Sequence, residues 1–369
     1  MSARDITKRY GAVVALADAN LDVQRGEVLA LVGANGSGKS TLGKIINGVV
    51  TLDRGSLQFD GRPVRFASPA AARRMGIATV FQELSLVPQM TVAENIWLTR
   101  EPVRGGFVDQ RAIQRRTEQL LALFEGAWSS PITPDTPVGP LPPDEKQLVE
   151  ILKAISSEPR LLILDEATAS LDRRQVQRLF ELVTGWKQAG MAIVMISHRM
   201  EEIFQMADRY TVLRNGATVG SGLIKDASAA DLVELMVGGA TAERVAQRER
   251  VTPADMDARE VVLAAENLHA AGLHGVSFAL HRGELLGLGG LRGQGQRQLL
   301  LTLFGDSAPS AGTIRVDGTP QRFSHPRQAM RAGLALVPGE RAREGLLTIR
   351  SILENLLLPS WRAYGRPLR

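Results

Sequence analysis

The stretch Gly33-Ala34-Asn35-Gly36-Ser37-Gly38-Lys39-Ser40 decides how the rest of the sequence is interpreted, because it satisfies the pattern G-x-x-x-x-G-K-[ST]. It follows a short apolar run, Val28 to Val32, and precedes a helical pattern from Thr41 to Asn47. A strand, a glycine-rich turn and a helix in this order form the context that the motif requires. The glycines let successive N–H groups point into the turn, and the N-terminus of the helix adds partial positive charge. The stretch therefore predicts a cradle for phosphate oxygens.

Side chains of this loop have individual predicted roles. We expect Lys39 to neutralise the β and γ phosphates of a nucleotide and the Ser40 hydroxyl to coordinate Mg²⁺. The predicted nucleotide-binding residues of the loop are Gly33, Asn35, Gly36, Ser37, Gly38, Lys39, Ser40 and Thr41.

A second group of functional side chains ends another apolar run. Leu161 to Leu164 is typical of a buried strand, and two adjacent carboxylates, Asp165 and Glu166, follow it. We expect Asp165 to hold Mg²⁺, directly or through water, and Glu166 to polarise an attacking water molecule. An acidic pair in this position is often only a solvated junction, so the prediction depends on the phosphate loop nearby.

The composition is that of a globular protein of two or three domains. Of the 369 residues, 44% are hydrophobic and 22% are charged, which excludes disordered, collagen-like and disulfide-rich classes. The absence of cysteine excludes thiol catalysis and fits a reducing compartment. No stretch approaches the ~18 to 20 apolar residues that span a bilayer, so we expect any membrane association to be peripheral.

The net charge of +5 raises the question of an acidic partner such as RNA. Only seven of the 44 basic residues are lysine, and the arginines are scattered along the chain rather than clustered. This pattern indicates a composition bias, and no nucleic-acid partner is expected.

The sequence also repeats itself at a nearly fixed spacing. Segments of the first part return after 257 residues: Arg25-Gly26-Glu27 as Arg282-Gly283-Glu284, Asp60-Gly61 as Asp317-Gly318, and Phe66 as Phe323. Glu94-Asn95-Ile96 returns as Glu354-Asn355-Leu356 after 260 residues, which indicates a three-residue insertion near residues 343–345. The chain is therefore predicted to contain one complete unit and part of a second.

These observations predict the domain organisation and the fold class. Residues 1–240 form the first domain, the charged stretch 241–260 is a linker, and residues 261–369 form the partial second domain. Strands are predicted at Val28 to Val32, Leu161 to Leu164 and Ala192 to Ile196. One helix is predicted after Asp109, which can serve as its N-cap, with Ile113, Leu120, Leu121 and Phe124 on one face. A second helix is predicted where Leu148, Ile151, Leu152 and Ile155 share a face. Alternating strands and helices predict an α/β fold with a mostly parallel sheet.

The order of the motifs resembles that of the ATP-binding subunits of ABC transporters. After the phosphate loop come Gln82 within Val80-Phe81-Gln82-Glu83, the acidic pair, Ser170-Leu171-Asp172 and Ser197-His198. The tandem layout, together with Thr91 to Ile96 and Val337 to Leu346, is similar to that of bacterial importers of simple sugars such as ribose, galactose or xylose. The resemblance covers nearly the whole chain. It implies a P-loop ATPase domain with an antiparallel edge subdomain and a helical subdomain, followed by a partial copy.

The resemblance also implies roles for single residues and partners. Tyr10 would stack on the adenine of ATP, Gln82 would sense Mg²⁺ and the attacking water, and His198 would contact the γ-phosphate. Asp172 would lie at the interface with the partner domain, and the segment from Gln82 to Trp97 would touch the transmembrane permease subunits. A sugar-binding protein would act through those subunits.

One motif departs from the family pattern. Related ATPases close each nucleotide site with a signature segment, typically L-S-x-G-x-x-Q, from the opposite domain. At the matching place this chain has Leu141-Pro142-Pro143-Asp144-Glu145-Lys146-Gln147. Proline removes a hydroxyl and an N–H donor, and Asp144 replaces the glycine that permits close approach. A carboxylate that faces a polyphosphate would repel it.

The second unit is altered as well. Its loop from Gly290 to Arg297 keeps the glycine spacing, but Gln296 stands at the lysine position and Arg297 at the Ser/Thr position. A shift of 260 residues places the second copies of the acidic pair, the histidine and the signature beyond Arg369. We therefore expect this chain to bind MgATP in its first unit and to hydrolyse it poorly unless a second ATPase chain supplies a signature.

The sequence favours the ATPase subunit of a sugar importer, located peripherally on the cytoplasmic face of the inner membrane. One alternative is a truncated, non-catalytic remnant that binds nucleotide without driving transport. A less favoured alternative is a soluble tandem ATPase that acts on ribosomes or RNA, because such proteins usually keep two intact phosphate loops and a long charged helical linker.

Overall fold

The computed structural model describes residues 1–238, 259–290, 293–339 and 344–359. The chain divides into two compact units, Met1–Arg248 and Glu249–Arg369. The predicted linker at 241–260 lies outside the described residues except for its last two positions. The domain limits 1–240 and 261–369 therefore stay predictions.

The first unit alternates strands and helices along most of its length. Its strands are β1 (Ser2–Tyr10), β2 (Val13–Asp22), β3 (Val28–Val32), β4 (Arg54–Phe59), β5 (Arg62–Val64), β6 (Ile77–Val80), β7 (Val103–Arg104), β8 (Phe107–Val108), β9 (Leu161–Asp165), β10 (Ala192–Ile196), β11 (Arg209–Arg214) and β12 (Ala217–Leu223). Its helices are α1 (Lys39–Ile46), α2 (Pro69–Arg74), α3 (Val92–Trp97), α4 (Gln110–Leu121), α5 (Pro143–Ile155), α6 (Arg173–Gln188), α7 (Met200–Met206) and α8 (Ala229–Val237), with short 3₁₀ turns at Ala122–Phe124 and Ile224–Asp226.

A ten-stranded sheet forms the centre of the first unit, in the order β5-β4-β1-β2-β12-β11-β3-β10-β9-β6. Strands β11, β3, β10, β9 and β6 run parallel to one another, and β12 pairs antiparallel with β11. Strands β1, β2, β4 and β5 pair antiparallel at the other end. The predicted mostly parallel core with an antiparallel edge is confirmed, and β3, β9 and β10 lie where the apolar runs predicted them.

The parallel strands are buried on both faces. In β3, Val28, Ala30 and Val32 pack into one hydrophobic cluster, whereas Leu29 and Leu31 pack into a second cluster on the opposite face. Alternate side chains of a strand point to opposite faces, so a strand covered on both sides requires a continuous apolar run. Because each face is covered, the polar ends of these strands are the places where functional side chains meet solvent.

The two predicted helices are present with small changes at their ends. Asp109 caps α4 by accepting a hydrogen bond from the Ala112 N–H at 3.0 Å. The helix ends at Leu121, and Phe124 lies in the 3₁₀ turn that follows. Helix α5 begins with Pro143 at its first turn, and Leu148, Ile151, Leu152 and Ile155 are all buried.

The second unit repeats the antiparallel edge of the first. Its elements are β13 (Val261–Ala270), β14 (Leu273–His281), β15 (Ala311–Val316), β16 (Thr319–Gln321), α9 (Gln296–Leu303), α10 (Pro326–Arg331) and α11 (Ile352–Leu357). The sheet order β14-β13-β15-β16 matches β2-β1-β4-β5. Thus the sequence repeat is also a structural repeat.

Side-chain geometry supports the repeat at its far end. Asn95 in α3 accepts from the Val87 N–H at 2.7 Å and donates to the Thr91 carbonyl at 3.0 Å. Asn355 in α11 accepts from the Leu347 N–H at 2.8 Å and donates to the Ser351 carbonyl at 3.0 Å. The 260-residue shift therefore aligns residues with the same structural task.

The second unit differs from the first at the position of the central strand. Residues 285–289 align with β3, yet they form no strand, and Leu285 is 97% exposed. In the first unit β3 pairs parallel with β10 on one side and β11 on the other. Among the described residues, 285–289 pair with no neighbouring strand.

Candidate nucleotide-binding site

The phosphate loop connects β3 to α1 and is held open by its glycines. Gly36 has φ 80°, and Gly38, which caps α1, has φ 105° and ψ −1°. A Cβ atom at Gly38 would lie 2.8 Å from the carbonyl oxygen of Ala15. The left-handed backbone and the close contact both require glycine here, so the loop is fixed as a concave turn at the N-terminus of a helix.

Lys39 occupies the mouth of this loop. Its Nζ donates hydrogen bonds to the carbonyl oxygens of Gly33 at 2.8 Å and Ala34 at 3.0 Å. Partial burial lowers the pKa of the Lys39 ammonium, while the nearby carboxylates Glu166 and Asp165 act in the opposite direction. A cation that is partly withdrawn from water gains strongly from an anionic ligand.

A cleft of about 640 Å³ opens in front of the loop. Its walls gather residues from the loop and from three distant segments: Val13, Val14, Ala15, Asn35, Gly36, Gly38, Lys39, Ser40, Thr41, Gln82, Glu166 and His198. Nine of these were predicted from the sequence. Val13, Val14 and Ala15 were missed, because only the hairpin of β1 and β2 brings that strand beside the loop. Val13 is 65% exposed, and because single exposed apolar side chains are ordinary on a protein surface, no local signal marked it.

Four predicted site residues lie beside the cleft rather than in its lining. Gly33 and Ser37 are buried residues of the loop, and the Ser37 hydroxyl has no hydrogen-bond partner among the described residues. Asp165 lies at the end of β9 and is also buried. Tyr10 pairs with Val13 across the hairpin, is 47% exposed, and has the Lys8 ammonium 5.6 Å from its ring centroid.

The structure brings the three predicted catalytic side chains together. Glu166 Oε2 accepts a hydrogen bond from Gln82 Nε2 at 2.8 Å, and Glu166 Oε1 lies 3.6 Å from His198 Nδ1. Glu166 has φ 51°, a left-handed conformation that is costly for a residue with a side chain. A carboxylate between an amide donor and an imidazole, at the rim of a phosphate cradle, is suited to orient and deprotonate water.

The residues near Asp165 fit a magnesium ion. Asp165 Oδ1 is buried and has no hydrogen-bond partner among the described residues. Burial raises the pKa of Asp165, a hydrogen bond from the Ser40 hydroxyl opposes that rise, and the Glu166 charge adds to it. Carboxylate and hydroxyl oxygens are ligands of the kind that Mg²⁺ accepts. Asp165 and Ser40 would therefore hold the ion that accompanies a nucleotide.

The raised pKa of Asp165 predicts a pH-dependent loss of stability in the nucleotide-free protein. Because the folded carboxyl releases its proton above its ordinary pKa of 3.8, the folded state binds more protons than the unfolded state in that interval. Stability then falls as pH rises through the interval and stays reduced above it. Asp165→Asn should therefore melt at a higher temperature than the wild type near neutral pH, and this advantage should vanish below the ordinary pKa.

Differential scanning calorimetry of both proteins without Mg²⁺, across acidic to neutral pH, measures this effect. Asp135→Asn is a matched control, since the Asp135 carboxylate is exposed and accepts one hydrogen bond from Gln114. A melting-temperature difference for Asp165→Asn that does not change with pH would contradict the assignment.

The altered signature segment lies at the start of α5. Pro142 is the N-cap and offers no side-chain bond to the helix, in contrast to the serine of the family pattern. The Asp144 carboxylate accepts a hydrogen bond from Gln175 Nε2 at 3.0 Å within the same unit. Gln175 also forms a capping box with Asp172 at the start of α6. Thus Asp144 is tied to α6, and the sequence had given no sign of this contact.

The second loop keeps the backbone of the first. Gly293 has φ 86°, and Gly295 caps α9 with φ 102° and ψ −2°. Arg297, at the position that Ser40 occupies in the first unit, forms an ion pair with Glu344. The glycine geometry is therefore similar in the two loops, whereas Gln296 and Arg297 replace the side chains of Lys39 and Ser40. Residues 291 and 292 lie outside the described part.

Comparison with known proteins agrees with this site. The ABC transporter family matches residues 16–169 and 273–363. The chain is 44% identical over 354 residues to "Ribose import ATP-binding protein RbsA 1" of Rhizobium etli, which covers 95% of this chain and 68% of that protein. It is 41% identical over 364 residues to "Ribose import ATP-binding protein RbsA" of Chromobacterium violaceum, with 98% and 71% covered.

A solved structure, a nucleotide-free ATP-binding cassette from an ABC transporter, aligns with 64% of this chain and 98% of its own length. The TM-score is 0.54 and the sequence identity is 26%. None of the helices in the described ranges combines the length and hydrophobicity needed to cross a membrane. With the phosphate loop and the acidic pair inside the first matched segment, this chain belongs to the ABC transporter family and is an ATP-binding protein of that family.

Proposed function

We propose that this chain is the ATP-hydrolysing subunit of an importer of a simple sugar and that it binds ATP together with Mg²⁺ in its first unit. The supporting observation is the cleft that gathers Lys39, Gln82, Glu166 and His198 around one phosphate loop. The names of the relatives point to ribose or galactose as the class of sugar.

Each side chain has a task in the proposed reaction. Lys39 leaves the loop carbonyls and binds the β and γ phosphates, and Glu166 takes a proton from the attacking water. Gln82 holds the Glu166 carboxylate and the water in line, while His198 donates to the γ-phosphate. Magnesium, held by Ser40 and Asp165, supplies charge neutralisation at the phosphates when it is bound. Tyr10 supports the adenine from the tip of the hairpin.

ATP binding is coupled to transport through the partners. ATP favours a closed pair of ATPase units, and it can shift that equilibrium only by its higher affinity for the closed state. Closure moves the permease subunits, which receive sugar from a separate binding protein, and hydrolysis reopens the pair. In this proposal the chain sits peripherally on the cytoplasmic face of the inner membrane.

The altered signature gives this proposal a direct test. Because Pro142 and Asp144 replace the serine and glycine of the pattern, we expect dilute wild-type protein to bind MgATP and hydrolyse it slowly. A helper chain with Pro142→Ser and Asp144→Gly restores the pattern, and Lys39→Ala in the same helper removes its own phosphate site. Single-turnover hydrolysis should rise when the helper is added to the wild type, because the helper supplies a signature to the intact Lys39 site.

Further outcomes distinguish hydrolysis that needs a second chain from hydrolysis by the monomer and from a non-catalytic protein. A helper with Lys39→Ala but the native Leu141 to Gln147 segment should give no increase. Brisk hydrolysis by dilute monomeric wild type would contradict the need for a second chain. MgATP binding with no hydrolysis in any mixture would favour a non-catalytic remnant.

A further inference from the structure

Glu202 of α7 is a buried carboxylate that lies outside the lining of the nucleotide cleft. Its Oε2 accepts hydrogen bonds from the Thr168 hydroxyl at 2.7 Å and the Ser197 hydroxyl at 2.9 Å. Its Oε1 pairs with Arg199 Nη1 at 3.0 Å. A buried charge is tolerated only where it has such partners, so these contacts form one satisfied network.

The partners of Glu202 belong to the two loops that carry the catalytic groups. Thr168 lies two residues after Glu166, following β9, and Ser197 directly precedes His198, following β10. The two hydroxyls share a single carboxylate oxygen. Glu202 thus fixes the distance between the loops at the point from which Glu166 and His198 project.

The loops need this restraint because the backbone at Glu166 is held in an unfavourable conformation. Its φ of 51° persists in a non-glycine residue only where surrounding contacts determine it. The Glu166 N–H donates to the Ile196 carbonyl at 2.9 Å, and the Ala169 N–H donates to the Glu166 carbonyl at 3.1 Å. Ser197 also accepts from the Arg199 N–H at 3.1 Å, which closes the turn around His198.

We propose that Glu202 is a positioning residue that holds the base Glu166 and the histidine His198 in register for ATP hydrolysis. This inference rests on the proposed function. Because Glu202 lies outside the lining of the cleft, it acts through the two loops. Its removal should leave MgATP affinity within about twofold and lower the single-turnover rate, measured in the helper mixture, by about 100-fold, the loss that a displacement near 1 Å produces.

The test compares Glu202→Ala, Glu202→Gln and Glu201→Ala. Glu201 is the exposed neighbour on the same helix and serves as the matched control. Glu202→Gln should recover part of the rate, because an amide oxygen in place of Oε2 can still accept from both hydroxyls while the ion pair with Arg199 is lost. Thr168→Val combined with Ser197→Ala should slow hydrolysis, and adding Glu202→Ala should cost little more, since the network is already broken.

Amide hydrogen exchange of the nucleotide-free protein tests the inference without activity. In Glu202→Ala, peptides covering 166–170 and 196–200 should exchange at least about tenfold faster, while the β3 peptide keeps wild-type protection. Unchanged exchange in both loops would overturn the proposal, as would a loss of MgATP affinity as large as the loss of rate. If the wild type does not bind MgATP, the proposed function fails, and the exchange experiment still decides whether Glu202 holds the loops.

Discussion

Lys39→Ala should bind MgATP at least about 100-fold more weakly than the wild type. The Lys39 ammonium lies at the mouth of the phosphate loop, where partial burial lowers its pKa and strengthens its interaction with an anion. A hydrogen bond to a charged group is worth about 1.5–3 kcal/mol, and two bonds to phosphate oxygens account for a loss of this size at 1.4 kcal/mol per tenfold. Isothermal titration calorimetry measures the affinity.

Lys44→Ala is the control for this prediction. Lys44 is exposed in the last turn of the same helix, α1, so its removal changes the helix charge by the same amount without opening the phosphate loop. We expect its MgATP affinity to stay close to that of the wild type. Normal affinity in Lys39→Ala would refute the assignment of the loop.

Glu166→Gln should keep MgATP affinity and lower hydrolysis by about 10³-fold. A general base contributes about 10²- to 10⁴-fold to a rate, and an amide cannot accept the proton. The amide oxygen can still accept the hydrogen bond from Gln82, so the loop should keep its geometry. Removal of a negative charge beside the phosphates also favours ATP binding, so the affinity should be equal or higher.

Single-turnover hydrolysis in the helper mixture and calorimetry of MgATP binding measure the two effects separately. Glu201→Gln, on the exposed side of α7, provides the control of equal chemistry. Hydrolysis at the wild-type rate by Glu166→Gln would show that another group acts as the base. A parallel loss of affinity would instead show that the Glu166 backbone had moved.

Much of the first unit could be predicted because its central strands are covered on both faces. Continuous apolar runs such as Val28 to Val32 occur where strands are buried on both sides, and they ended at the polar groups of the site. The antiparallel edge was available only through the family resemblance. Its strands, such as β1, mix exposed and buried residues without strict alternation, so their pairing is decided by contacts far apart in sequence.

The site was predicted best where its functional residues are consecutive in the sequence. Loop backbone and lysine follow from a local pattern, whereas Gln82 and His198 needed the resemblance because single polar residues carry no local signal. Glu202 carried no sequence signal either. Glu202 can contact both loops because β9 and β10, whose first residues are 31 positions apart in the sequence, are neighbours in the sheet.

By itself, the sequence determined the phosphate cradle, the acidic pair and the repeat, since glycine spacing, buried strands and periodicity are local properties of a chain. Tertiary structure alone decided the wall formed by Val13 and Val14, the tether between Asp144 and Gln175, and the network of Glu202. These contacts join residues that are distant along the chain, and a side chain meets such a partner only after the sheet has fixed the position of each loop.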